Sequence, residues 1–362
     1  MKILALYLPQ FHRTPENDEW WGEGYTEWTA VKNAKPMFRG HQQPKVPLDD
    51  NYYDLSDETG AVWKWQADVA NEYGVYGFCI YHYWLGNGKQ LLQKPMEILL
   101  SHPEIDINYC VCWANHDWTR AWYGVPEDIL CKQEYGDEQE WRRHFDYLLQ
   151  FFKDKRYIKI GNKPIVNIYD SKSVDCLDEM KEKWNQWAIA EGFDGIYLVS
   201  AALAVGFDER HTDSLDAYYL FEPEYTYYNC VPKLIIWLDF QKRKFRMLCG
   251  KITKKSVCGY IIDSRKIYKR FSNNKSNYKG KKVYMGIFPQ WDNTPRRHEQ
   301  GKVYINCTPE IFERALQKIA GKVGEDDFVY LDAWNEWGEG NYIEPDKQNK
   351  YAYLEAIRKV VK

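Results

Sequence analysis

The chain has 362 residues, 44% of them hydrophobic and 28% charged, with a formal net charge of −3. That suffices for a sizeable core in one large domain or two ordinary ones, and no run approaches the ~20 apolar residues of a membrane-spanning helix. Aromatic residues reach 17%, with 16 Trp and 29 Tyr, a surplus that fits rings stacked on sugars and equally a Tyr-rich core.

The first apolar run, "KILALYL" (2–8), predicts a buried strand and ends in "YLPQFH". Only Ile3 to Leu8 lie between Lys2 and the first proline, too few for a signal-peptide apolar region, so the sequence reads as cytoplasmic. Residues 9–56 then form a long loop with Pro36, Pro44 and Pro47, and its cluster of aromatics argues for function rather than disorder. Here Trp20, Trp21, Glu27 and Trp28 form a lid or outer subsite, or cover a rim.

A helix is predicted over 57–73, followed by the strand "YGFCIYHY" (76–83), which delivers His82, Tyr83 and Trp84 to its end. The next run, "NYCVCWA" (108–114), leads into "WANHDWTR", where Trp113, Asn115, Asp117 and Trp118 combine hydroxyl-binding groups with stacking rings; Asp117 also suits loop capping and Arg120 an ion pair. Helical spacing over 138–154 and 175–191 alternates with strands at 164–170, 195–201 and 217–222.

An insert follows. Between Cys230 and Lys282 sixteen Lys and Arg meet two Asp, a local charge of +14 that leaves −17 for the remainder. In "VPKLIIWLDFQKRKFRMLCGKI" apolar and cationic residues interleave as in an interfacial helix, so residues 231–280 are expected to touch an anionic membrane surface peripherally.

The seventh strand (283–289) runs into "FPQWDNTPRR". Trp291 and Asp292 offer sugar contacts, while Arg296 and Arg297 suit either a diphosphate leaving group or ion pairs within the loop. A helix over 309–321, an eighth strand over 328–334 and a last helix over 348–361 complete the alternation. Eight βα units predict one (β/α)8 TIM barrel over 1–362, with long βα loops and a basic helical insert at 223–282 between strands six and seven. The polar and aromatic strand ends would then share one rim.

"WNEWGEG" lies past the last strand. Paired carboxylates are what making or breaking a glycosidic bond requires. On a straight strand Glu336 and Glu339 would face opposite sides, but Gly338 and Gly340 permit a turn, and one helical turn brings them within about 5–6 Å. Trp334 and Trp337 would wall the pair and raise one carboxyl's pKa, with Asn335 beside them. The nine cysteines include no CxxC pair, and no GxGxxG, P-loop or DxD element appears, so neither metal nor cofactor is expected.

"YLPQFH", "WWGEGYTEWTAV", "GFCIYHYW", "WANHDWTR", "DNTPRR" and "AWNEWGEGNYIEPD" together resemble the WbsX-like group, associated with bacterial O-antigen and capsule clusters and taken to be glycosyltransferases. That group is similar to glycoside hydrolase family 99, endo-α-mannosidases and endo-α-mannanases that fold as (β/α)8 barrels. The resemblance covers residues 1–220 and 283–361 and leaves the basic insert outside. It implies that Glu336 activates the sugar's own 2-hydroxyl, through an anhydrosugar and with retention, and that Glu339 is the general acid/base. His116 stands where the family has Glu in a "WANE" block.

The resulting expectation is glycosyl transfer in O-antigen or capsule biosynthesis, with a glycan or sugar-donor substrate and a lipid-linked acceptor, in the cytoplasm or peripheral to the inner membrane. The alternative is a retaining endo-α-glycosidase. A third reading is a non-catalytic glycan-binding or nucleic-acid-binding protein whose basic insert binds phosphates nonspecifically, and no specific nucleic-acid partner is expected.

Overall fold

A computed structural model describes residues 1–119, 128–203, 210–271 and 278–361. Eight parallel strands close on themselves: β1 (Lys2–Tyr7), β2 (Val75–Gly86), β3 (Asn108–Trp113), β4 (Lys163–Ile168), β5 (Tyr197–Ala202), β6 (Ala217–Leu220), β7 (Lys282–Ile287) and β8 (Phe328–Leu331). Each pairs with its neighbours in sequence, and β8 returns to β1 with Phe328 opposite Lys2 and Leu331 opposite Ala5. The chain is a (β/α)8 barrel, as the alternation of apolar runs and amphipathic segments predicts.

Contacts between non-adjacent strands identify the side chains that fill the lumen. Tyr330 of β8 stacks on Tyr219 of β6 with centroids 4.2 Å apart, and its hydroxyl donates to Asn167 Oδ1 of β4 at 2.7 Å. Trp63, Trp113, Trp184, Trp334 and Trp337 are among the largest fully buried side chains. Much of the aromatic surplus is therefore core, since flat rings fill a wide lumen and the spaces beneath long loops.

The helices follow in chain order. The first loop holds α1 (Pro15–Trp21) and α2 (Glu27–Asn33), followed by α3 (Ala61–Tyr73). Next come α4 (Lys94–Ser101), α5 (Glu138–Phe152) and α6 (Leu177–Ala190) after β2, β3 and β4. The insert carries α7 (Glu224–Cys230), α8 (Lys233–Thr253) and α9 (Arg265–Tyr268); α10 (Thr294–Arg297), α11 (Pro309–Ala320) and α12 (Ala352–Val361) complete the set. Between β5 and β6 no helix occurs among the described residues.

Three expectations change, one being that the last helix begins at Ala352 rather than 348. The first predicted helix starts at 61 rather than 57, because Asp57 accepts from the Thr59 amide and hydroxyl in a local turn and Gly60 is left-handed at φ 70. The insert is not purely helical. Its segment Tyr260–Asp263 pairs in parallel with Lys302–Ile305, which pairs antiparallel with Trp291–Asp292. A small sheet thus ties the insert to the loop that carries Asp292 and Arg296.

Candidate active site

Beyond β8 the chain makes a tight hairpin. Asn335 and Glu336 pair antiparallel with Tyr342 and Asn341, and one 3₁₀ turn, Trp337–Glu339, joins the two sides. With three residues per turn, positions 336 and 339 stand one above the other, so both carboxyl groups face one way. Asn335 fastens the hairpin to the end of β1: its side chain accepts from the Leu8 amide at 2.7 Å and donates to the Leu8 carbonyl at 3.0 Å.

Both glutamates meet one guanidinium. Arg296, on α10, places its Nη2 3.0 Å from Glu336 Oε2, its Nη1 3.1 Å from Glu339 Oε1 and its Nε 2.7 Å from Glu27 Oε1. It is buried, and burial alone would weaken its hold on its proton, yet the charges of Glu27, Glu336 and Glu339 push its pKa well above the usual value. Glu27, the first residue of α2, brings the long first loop into the site.

The turn leaves no room for a side chain at 338. A Cβ there would lie 1.8 Å from Glu27 Oε1 and 2.6 Å from Arg296 Nε. Gly340 is left-handed (φ +55), and a Cβ on it would press within 2.9 Å of Asp292. Gly338→Ala is accordingly expected to lower Tm by at least about 2 °C and to disturb the glutamate pair, since overfilling a closed site costs about 1–3 kcal/mol. Calorimetry showing an unchanged Tm would mean that the Glu27–Arg296 pair yields freely.

The two glutamates differ in environment. The Glu336 side chain is 9% exposed and that of Glu339 24%. Burial pushes Glu336 up to about 8; Arg296 opposes this, while the charges of Glu339 and Glu27 add to it. Asp332, at the end of β8, is also raised well above the usual carboxylate range by burial and then by Glu339, Glu336 and Glu222. Glu222, past β6, is pushed up to about 8 by burial against donation from the Thr226 amide and hydroxyl.

The tryptophans also hold a third carboxylate. Trp334 and Trp337 are buried and present no face to solvent; their indole N–H groups donate to Glu344 at 2.9 and 2.6 Å. Glu344 also accepts from Tyr53 and Gln66, and burial holds its pKa at about 7 against these bonds. Trp337 stacks on Tyr342 with centroids 3.7 Å apart. The rings pin the hairpin to its floor, because an indole buried this deeply needs an acceptor for its N–H.

Other rim candidates separate into two groups. Tyr83 lies near the pair: burial and then the charge of Glu336 raise its pKa. Trp118 meets Tyr83 edge-on at 5.0 Å and Trp20 at 6.0 Å. Trp28 is buried, donates to the Tyr53 carbonyl and contacts Trp337 at 5.4 Å, so it covers the rim rather than lining an open subsite.

The remaining candidates are structural in their contacts. His82 is buried with Nε2 2.9 Å from His144 Nε2, and burial pushes its pKa down to about 3. Trp84 donates to Glu140, and Trp113 to the Trp84 carbonyl. Asn115 bridges the Asp170 amide and carbonyl, and Asp117 accepts from the Gln133 amide, which is the capping alternative. Asp292 accepts from His41, Gln43 and Thr294, which hold its pKa below the usual range although burial would raise it. Trp291 is buried beside it, and Arg120 lies outside the described residues.

Arg296 likewise spends its fork on carboxylates, which come from α2 and the hairpin rather than from its own loop, while Arg297 is exposed. His116 is half-buried against Tyr169 with ring centroids 5.5 Å apart, and burial lowers its pKa. The Tyr169 hydroxyl, raised first by burial, feels Glu339 most among nearby charges. Asp332 and Glu344 were not singled out from the sequence, although "YLDAW" carried a signal in its acid at a strand's carboxyl end.

A family model described as glycosyltransferase WbsX matches residues 3–357. WxcX from two strains of Xanthomonas campestris pv. campestris, described as uncharacterized, is 31% identical over 366 residues that cover 99% of this chain and 49% of the relative. The chain thus spans about half the length of the curated relatives it matches. Among solved structures, the GH99 endo-alpha-mannosidase from Bacteroides thetaiotaomicron superposes with a TM-score of 0.57 at 12% identity, over 99% of this chain and 96% of that one. A glycoside hydrolase-like protein gives 0.57 at 13% identity, over 100% and 94%. At such identities these two likenesses concern the fold alone.

Proposed function

Because the chain belongs to the WbsX glycosyltransferase family, we propose that it transfers a glycosyl group, with retention, in the assembly of a bacterial surface polysaccharide such as O-antigen or capsule. Membership of that family supports a carbohydrate-active enzyme. The finer reading rests on one observation: Glu336 and Glu339, at the carboxyl-end mouth of the barrel, are held on adjacent nitrogens of one buried guanidinium.

The roles implied by the resemblance suit this geometry. Glu336, as carboxylate, takes the 2-hydroxyl proton while that oxygen closes on the anomeric carbon, and Glu339 gives its proton to the departing oxygen. Glu339 then takes the acceptor hydroxyl's proton as the acceptor opens the anhydro ring, and Glu336 returns its own proton to the 2-oxygen. A carboxylate whose conjugate acid has a pKa of about 8 is a stronger base than an ordinary glutamate, so burial serves the first step.

The sign of the pH dependence follows. With a donor whose departing oxygen needs no proton, so that only the base role of Glu336 is read, kcat/KM should climb about tenfold per pH unit through the acid range and level off above about 8. A kcat/KM that instead declines from pH 6 to 8 would give the base role to another group.

The acceptor separates transfer from cleavage. A panel of nucleotide sugars offered with a lipid-diphosphate glycan should yield an extended glycolipid that keeps the donor's anomeric configuration. Free sugar released from α-mannan fragments, without any transfer, would replace this proposal with the endo-glycosidase reading. We place the reaction at the cytoplasmic face of the inner membrane, where nucleotide sugars and lipid-linked acceptors meet. No helix among the described residues is long and apolar enough to cross a membrane.

A further inference from the structure

The outward face of α8 is apolar. Leu234, Leu238, Phe245, Leu248 and Ile252 recur at spacings of four, seven, three and four residues, which puts them on one side of the helix. Their exposures run from 42% to 72%, and Trp237 beside them is 54% exposed. The inward face mixes the core-packed Ile235 and Ile236 with charged residues. Asp239 is buried and accepts from Lys266 Nζ, at 2.8 and 2.9 Å, and from the Tyr227 hydroxyl at 3.3 Å, while the Arg243 guanidinium lies 4.5 Å from the Tyr260 ring centroid. A surface helix of a soluble domain has the opposite arrangement.

Cations border the stripe. Lys233, Lys244 and Lys251 flank it on one side and Lys242 on the other, with Lys254 and Lys255 past the helix end, and all six are exposed. The only acid on α8 is the buried Asp239. We infer that α8 is an in-plane membrane anchor, its apolar stripe set among acyl chains and its lysines against anionic lipid headgroups. A second copy of the chain fits poorly, because an isologous contact would set the same lysine rows against each other.

The anchor is coupled to the catalytic rim. α8 follows α7 off the carboxyl end of β6, and the Tyr260–Asp263 strand reaches Asp292, behind the Gly340 turn, through the small sheet. Seating α8 would hold the mouth of the barrel near the bilayer surface, where a lipid-borne acceptor is displayed. The binding itself is independent of the proposed reaction, so the two can fail separately.

Vesicle sedimentation tests it with the full chain. Wild-type protein should bind equimolar phosphatidylglycerol–phosphatidylcholine vesicles in low salt, and at least about tenfold more weakly in high salt or on phosphatidylcholine alone. Leu234→Asp, Phe245→Asp and Ile252→Asp together should lower binding at least about 100-fold with no change in Tm, as these side chains point into solvent. Replacing Lys233, Lys242, Lys244 and Lys251 by Gln should weaken the salt dependence. Absence of wild-type binding in low salt, or undiminished binding by the triple Asp variant, overturns the inference. So does velocity sedimentation showing a dimer that the triple variant dissolves without any vesicle binding.

Discussion

Glu336→Gln and Glu339→Gln are each expected to lower turnover by about 10²–10⁴ while Tm moves by no more than about 1 °C. Gln keeps the shape and the oxygen that Arg296 contacts, so what is lost is the ability to exchange a proton. Stability is spared for different reasons at the two positions. Burial already favours the neutral form of Glu336, and the Glu339 side chain is 24% exposed, so water compensates for its lost charge. The roles can be told apart by the leaving group. With a nitrophenyl donor, whose departing oxygen needs no proton, the first step of Glu339→Gln should recover most of its rate, whereas Glu336→Gln should stay impaired. Full activity in either variant would reject the assignment.

Arg296→Met is expected to lower Tm by about 4–8 °C at pH 8 and to abolish turnover. The guanidinium is the shared counter-charge of Glu27, Glu336 and Glu339, and removing one partner of a buried ionic group costs about 3–5 kcal/mol because the others are left uncompensated. The loss should shrink toward pH 5, where the stranded carboxyl groups can take up protons and become neutral. Combining Arg296→Met with Glu27→Gln should recover part of the Tm, since fewer charges are then stranded. Arg296→Lys should not restore turnover, because one ammonium cannot occupy three directions fixed by a planar fork. An Arg296→Met protein with wild-type Tm at pH 8 would show that the carboxylates find other partners.

The strands and the turn between the glutamates were legible in the sequence because their causes are local. Apolar, β-favouring runs such as "KILALYL" and "FVYLDAW" can only be buried on both faces, and eight of them separated by amphipathic segments close into a barrel. Two glycines around Glu339 admit a tight reversal whatever surrounds them. Local pattern also has a limit: "WNEW" shows rings near carboxylates but not that their N–H groups reach Glu344, just past the returning strand Asn341–Tyr342.

By itself, then, the sequence determined the barrel, the rim on which polar strand ends gather, the place of the paired acids and the unusual charge of the insert. Each follows from residue type and spacing along the chain. Only the tertiary structure decided that Arg296 serves three carboxylates rather than a phosphate, that Glu27 arrives from more than 260 residues away to join it, and that α8 turns its apolar side outward. Those outcomes depend on which buried charge finds which partner across the mouth. Neutralisation in a dry interior is settled by distance in space, on which spacing along the chain is silent.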